Sequence, residues 1–297
     1  MTKNPKPMPI SLSQWQSGGM IFPYRGHDIF YRRGGAGPPL LLLHGFPTAS
    51  WDYAAIWDGL CAHHDVIAPD FIGFGFSAKP LPYAYSIFDQ ADLIEQLLAH
   101  CRISRVAILS HDFGDSITQE LLARQNEQSH KIEIQSAMLL NGGIFYDQIT
   151  PLFTQRLLRS KWGAIAQHLM NRRTFGRSFR AIFGPQSQPS SAELDDFWRL
   201  ITHHRGKRVM HAISQYLNER QRFQTRWSDA FAQALCPLRF VYGPQDPVSG
   251  TAMAHRFAQI VPDADIVALP GIGHYPQVEA PEAVRAAFAE FEAKHAA

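Results

Sequence analysis

The sequence is short of cysteine, of long apolar runs and of net charge, and each shortage excludes a class of protein. Its 297 residues hold three cysteines, Cys61, Cys101 and Cys236. They are widely spaced and odd in number, so they suggest neither a disulfide framework nor a set of metal ligands. No run approaches the roughly 18 to 20 apolar residues of a membrane span. The opening "MTKNPKPMPISLSQWQSGG" lacks the apolar centre of a secretory leader. A cytoplasmic location without stable membrane insertion is the expectation. The net charge of +2 gives no argument for nucleic acid as a partner. Internal repeats and low-complexity tracts are absent as well. "GFGFS" (73–77) contains Gly-x-Gly without the third glycine of a dinucleotide fingerprint and leads into a loop, which excludes that site.

The composition that remains, 45% hydrophobic and 18% charged, is that of an ordinary globular protein. Its charge is unevenly spread. Residues 150–230 hold 14 Lys and Arg against 5 Asp and Glu, whereas the rest of the chain holds 14 against 21. A basic segment is therefore set into an acidic body. It reads either as a solvated helical surface or as a lid favouring an anionic substrate or an anionic membrane.

The order of elements predicts the fold class. Residues 20–47 read as two antiparallel strands followed by "LLLLH", apolar throughout, as suits a strand covered on both faces by helices. A helix over about 50–62 and the strand "DVIAPD" follow. "YSIFDQADLIEQLLAHC" (85–101) then places Phe88, Ala91, Ile94, Leu98 and Cys101 on one helical face, with Ser86 and Asp89 as a capping pair. Beyond them come the strand "RVAILS", a helix over 113–126 and the strand "SAMLLN". Alternation stops from 146 to about 232, where the periodicity is helical. It resumes with "LRFVY" (238–242), a helix at 251–260, "DIVAL" (265–269) and a last helix from Pro281 to about Lys294. The expectation is an α/β protein with a mostly parallel, doubly wound sheet: a core over 1–145 and 233–297, with a helical cap over 146–232 inserted into it.

"LSHDFGDSI" (109–117) lies at the junction of a strand and a helix. Such a junction displays the serine of Gly-x-Ser-x-Gly hydrolases. Here Asp112 stands at the centre. "FVYGPQDPVSG" puts Asp246 just past a strand, and "LPGIGHYPQVE" puts His274 past the last one. Nucleophile, acid and base thus occur in the order such enzymes require, at the sheet edge where open α/β sheets bind ligands. "HGFP" (44–47) can aim the Phe46 N–H at the point served by the Phe113 N–H, making an anion hole. Asn141, at the end of a strand, carries an amide and cannot serve as the acid. Asp115 lies in the first turn of the helix, where a carboxylate suits the helix dipole. If it faced the site, its charge would instead raise the pKa of Asp112.

These motifs resemble the epoxide hydrolase and haloalkane dehalogenase branch of the α/β-hydrolase superfamily, whose elbow reads His-Asp-Trp-Gly-Gly. "LLHGFPTASWDYAAIWDGL", "DFIGFGFSAKP", "YSIFDQA", "SHDFGDS", "NGGIF", "QYLNERQRF", "YGPQDPV" and "HYPQVE" resemble the mesoderm-specific transcript proteins more closely, over about 25–290. The resemblance implies an α/β-hydrolase fold and a cofactor-free, metal-free mechanism. In it Asp112 attacks an sp³ carbon, and His274, oriented by Asp246, hydrolyses the resulting ester. Dehalogenases of the branch hold the halide with a Trp after the nucleophile and often an Asn in the His-Gly-Asn-Pro turn. The equivalents here are Phe113 and Phe46, whose side chains donate nothing. Only a cap tryptophan (Trp162, Trp198 or Trp227) could substitute. Epoxide hydrolases use cap tyrosines, which points to Tyr216 in "ISQYLNER"; no second Tyr lies between 147 and 215, leaving Tyr146 as its only nearby companion. Trp162, Trp198 and Tyr146 are the expected substrate contacts.

The favoured expectation is an epoxide hydrolase-like enzyme acting on a small apolar organic molecule, with an anionic one left open. A dehalogenase-type hydrolase is one alternative. A ligand-binding or sensor protein that keeps the fold without turnover is the other. Oligomeric state is not readable.

Overall fold

The computed structural model describes residues 10–129 and 132–295. The first nine residues of the opening stretch, part of the first core segment, lie outside that range. Eight strands form one sheet in the order β1-β2-β4-β3-β5-β6-β7-β8. β1 (Gly19–Tyr24) and β2 (His27–Gly34) form an antiparallel hairpin, and β2 runs antiparallel to β4 (Asp65–Pro69). From β4 onward all neighbours are parallel: β3 (Pro39–Leu43), β5 (Arg105–Ser110), β6 (Glu133–Leu139), β7 (Leu238–Tyr242) and β8 (Asp265–Ala268). The β3 leucines 40–43 are fully buried, as a strand covered on both faces requires. Truncating one of them to Ala should cost about 2–5 kcal/mol.

Helices α1 (Leu12–Ser17), α2 (Trp57–Cys61), α3 (Ile87–His100) and α4 (Phe113–Asn126) belong to the first part of the core. The helix expected over 50–62 is interrupted. Asp70 Oδ1 takes both the N–H and the hydroxyl of Ser50, at 2.8 and 2.6 Å, and tightens Ser50–Tyr53 into a 3₁₀ turn before α2 begins. At the start of α3 the Ser86 hydroxyl accepts from the Phe88 and Asp89 N–H groups, as a cap should. The Asp89 carboxylate does not return to the cap. It accepts instead from Tyr24 (2.8 Å), Tyr83 (2.5 Å) and Arg25 (2.6 Å), so the pair is only half a capping box.

The segment after β6 is helical: α5 (Phe153–Arg159), α6 (Gly163–Leu169), α7 (Arg172–Arg180), α8 (Ser191–Thr202), α9 (Met210–Ser214), α10 (Tyr216–Arg222) and α11 (Gln224–Ala232). α11 packs along α4, where Gln119 donates to the Trp227 carbonyl (3.2 Å) and Trp227 Nε1 donates to Glu120 (3.0 Å). On that packing we propose that the cap proper ends near Phe223 and that α11 belongs to the helical layer on the sheet. The core closes with α12 (Thr251–Ile260), α13 (Pro276–Glu279) and α14 (Pro281–His295). Among the described residues no helix is long and apolar enough to cross a membrane.

Register sets the site. Leu43 pairs with Ser110 between β3 and β5, so the turn after β3 and the elbow after β5 emerge side by side. The loops after β7 and β8 arrive at the same carboxyl edge.

Candidate active site

The elbow is pinned from both neighbouring strands. The His111 N–H donates to Leu43 O (2.9 Å), Asp112 N–H to Asn141 O (3.1 Å), and Gly114 N–H to His44 O (3.0 Å). Asp112 consequently sits at φ 47°, ψ −98°, a conformation that L-residues rarely adopt and that costs about 1–3 kcal/mol. Two glycines make the crowding tolerable. A Cβ on Gly114 would run into the Leu43 carbonyl, and one on Gly142 would lie 2.8 Å from Asp112 Cα. The reward is a carboxylate held at the head of α4 and accepting the Phe46 N–H at 3.1 Å. Phe113, the first residue of α4, has a backbone N–H with no acceptor inside its own helix.

His274 and Asp246 lie together, at the edge where their two loops emerge. His274 Nδ1 lies 2.7 Å from Asp246 Oδ2. Asp246 also accepts from the Asn141 amide (2.9 Å), the Ser249 hydroxyl (2.6 Å) and the Val248 N–H (2.7 Å). Burial pushes the His274 imidazolium toward losing its proton. The charge and hydrogen bond of Asp246, with the Asp112 charge behind them, outweigh that and raise its pKa to about 9. Burial disfavours the ionised forms of Asp246 and Asp112 too, yet both end below the usual carboxylate range. For Asp246 the His274 charge decides; for Asp112 it is Arg220, then His274 and His111. The loop carrying His274 is tied to the helical segment after β6: its N–H donates to Ile182 O (2.8 Å), and the buried Glu279 carboxylate accepts from Gly184, Gly273 and Tyr275.

An aspartate at the elbow, a His–Asp pair beside it and a backbone donor aimed at the aspartate thus stand together at the carboxyl edge of the sheet. Residues 40–287 match the alpha/beta hydrolase family. The chain belongs to it. Its curated relatives include the Mesoderm-specific transcript homolog protein of Bos taurus, 42% identical over 289 residues, covering 93% of this chain and 86% of the relative. Among solved structures, the haloalkane dehalogenase DbeA-M1 loop variant from Bradyrhizobium elkanii superposes with a TM-score of 0.77 at 23% identity, covering 94% and 99% of the two chains. Epoxide hydrolase CorEH superposes with a TM-score of 0.76 at 18% identity, covering 93% and 98%. At those identities the two structures establish the alpha/beta hydrolase fold and nothing finer.

Within this alpha/beta hydrolase, Tyr216 lies beside the elbow that carries Asp112. Its ring is buried against Phe113 and Phe46, with centroids 4.9 and 5.8 Å away. Its hydroxyl has no hydrogen-bond partner among the described residues. Burial, then the Asp112 charge, holds the phenol strongly protonated. The other expected contacts from the helical segment fall elsewhere. Trp162 is 59% exposed on the outer surface. Trp198 packs on Phe175, with centroids 5.6 Å apart. Tyr146 turns to Gln221 and Arg159, each at 3.2 Å. None of the three lines the apolar cavity of about 130 Å³ beside the site. The inner sides of α5, α6 and α7 form its walls, through Leu158, Ala166, Met170 and Phe179, and it reaches the site at Phe46, Val248 and His274. The correction has a simple cause: α5 and α6 are short helices, and Trp162 at their junction faces outward.

Two polar residues carry more than the sequence reading assigned them. Arg220, 4% exposed, donates from Nη2 to the Asp112 carbonyl (2.7 Å) and carboxylate (3.3 Å), and from Nε to Ser116 (2.7 Å). It lies four residues after Tyr216 and over that ring, so helical spacing from Tyr216 was the signal for it. Asp115 does face the surroundings of Asp112. Burial, with the neighbouring Asp112 charge, raises its pKa well above normal against the opposing pull of the Ser110 hydroxyl, which donates to it at 2.6 Å, so the protonated form, which adds no charge against Asp112, is favoured.

Asp246→Asn should slow the His274-dependent step by about 10³ to 10⁴-fold, since the amide no longer fixes the imidazole tautomer. Asn141→Ala removes only a donor to Asp246 and should cost less. Single-turnover rates for both variants check the ranking; a larger loss in Asn141→Ala would mean that Asp246 is not the acid.

Proposed function

We propose that this hydrolase opens an epoxide-like, activated sp³ carbon in an apolar molecule by way of an ester on Asp112. The observation that carries the reading is the combination of an ionised aspartate in the elbow with an unpartnered phenol, Tyr216, packed beside it. An Asp112 oxygen attacks the carbon, the carbon–oxygen bond breaks, and the departing oxygen takes the Tyr216 proton. His274 then removes a proton from water, and the hydroxide adds to the Asp112 carbonyl. The N–H groups of Phe46 and Phe113 hold the resulting oxyanion. As the intermediate collapses, the product oxygen takes the proton from His274. Asp112 ionises again, and its proton returns through water to the Tyr216 phenolate. A diol leaves, and neither cofactor nor metal enters the balance.

Halide release is the weaker reading. Phe46 and Phe113 offer no side-chain donor, Trp227 spends its indole N–H on Glu120, and Trp162 faces solvent. A ligand-binding role without turnover has no observation in its favour. The test is a panel of apolar epoxides and matched haloalkanes, with Tyr216→Phe beside wild type. Epoxides should be turned over and haloalkanes not. Tyr216→Phe should slow ester formation and leave ester hydrolysis nearly unchanged, because only the first step expels an oxygen. Equal slowing of both steps would remove Tyr216 as the acid.

A further inference from the structure

Helices α5 and α6 are apolar on the wrong side as well as the right one. Their inner faces wall the cavity through Leu158, Ala166 and Met170. Yet four of the eight large apolar side chains most exposed among the described residues lie on the same pair: Phe153 (78%), Trp162, Ile165 (60%) and Leu169 (73%). Trp162, Ile165 and Leu169 are spaced by three and four, which puts them on one face of α6. A surface helix normally turns polar residues to water. A clustered apolar outer face marks a docking surface.

Its charge identifies the occupant. Residues 148–192 contain no Asp or Glu and seven basic residues: Arg156, Arg159, Lys161, Arg172, Arg173, Arg177 and Arg180. Among the described residues only Arg172 of these is paired with a carboxylate, Asp195. Lys161 lies over the Trp162 ring at 5.6 Å, inside the apolar face itself. A second copy of the chain would set this basic surface against an identical one. The first nine residues, with Lys3 and Lys6 and no acid, match it no better. Exposed apolar side chains in a segment that carries cations and no acid fit a lipid surface of opposite charge.

We propose that the outer face of α5 and α6 docks on an anionic phospholipid bilayer, with Ile165, Leu169, Trp162 and Phe153 at the acyl boundary and the basic rim on the headgroups. The cavity then lies directly behind the docked helices, and an apolar substrate enters it from the bilayer. The docking does not depend on the chemistry assigned to Asp112.

Flotation of the full chain with vesicles tests it, using phosphatidylcholine alone and phosphatidylcholine mixed with phosphatidylglycerol. Binding should be about tenfold or more stronger on the mixed vesicles. It should weaken with salt as the screening length falls from about 30 Å at 0.01 M to about 8 Å at 0.15 M. Ile165→Asp with Leu169→Asp, and separately Arg173→Glu with Arg177→Glu, should each abolish the preference while the thermal unfolding curve stays in place. No binding to either vesicle, or binding untouched by both variant pairs, would overturn the proposal. So would a dimer in ultracentrifugation that the Ile165 and Leu169 changes dissociate. Asp112→Asn should float like wild type, so failure of the nucleophile assignment leaves this result readable.

Discussion

Asp112→Asn should leave the chain folded and its turnover at background, a loss on the order of 10⁴ to 10⁶-fold if the residue is the nucleophile. The amide has the size of the carboxylate and still accepts the Phe46 N–H, so the anion hole and elbow keep their shape. Arg220 keeps the Asp112 backbone carbonyl (2.7 Å) and Ser116 (2.7 Å) as acceptors, so its charge is not stranded. What disappears is the negative charge that Arg220, His274 and His111 hold in place. Thermal unfolding and turnover of the same preparation separate the two effects. Activity within tenfold of wild type would take the nucleophile away from this position.

His274→Gln should be inactive in steady state and active once. In the proposed mechanism esterification needs only ionised Asp112 and an acid, and neither is His274. Hydrolysis of the ester needs a base. Rapid mixing with a turned-over substrate should therefore give a stoichiometric first turnover, then arrest. The same residue sets the pH dependence. Esterification cancels the Asp112 charge, one of the charges that hold the imidazole pKa at about 9, so the proton is held less tightly in the ester than in the free enzyme. Hydrolysis should quicken as pH rises until His274 is neutral, and the ester should accumulate at low pH. Because the folded pKa is raised above the ordinary 6.5, the protonated imidazole stabilises the fold fully below about 6.5, and that contribution fades as pH rises through about 9. His274→Gln should lack that fading component in its melting curves.

The sheet was legible because its signals are local. Continuous apolar strands such as Leu40–Leu43 and runs of helical period require no knowledge of partners. The break in the 50–62 helix was not, because it depends on Asp70, the residue just past β4, which reaches back to Ser50. Asp112, Asp246 and His274 could be placed because each follows a strand, and parallel strands deliver such loops to one edge. Arg220 stayed hidden for the opposite reason. It comes from the helical segment after β6, where short helices give no register to reason from, and an arginine among 14 basic residues does not announce a buried partner. The same uncertainty put Trp162 in the pocket on paper and on the outer surface in the structure. Asp115 was placed as a helix-dipole residue, and only its burial beside Asp112 reveals why its protonated form is favoured despite the Ser110 hydrogen bond.

The most direct measurement is turnover in ¹⁸O water, followed by peptide mapping of the segment that contains "SHDFGDS". If water attacks the carbonyl of an Asp112 ester, repeated turnover leaves ¹⁸O in the Asp112 carboxylate, and His274→Gln carries one substrate mass on the same peptide. If water attacks the substrate carbon directly, Asp112 stays unlabelled and the variant unmodified, and the covalent account is wrong.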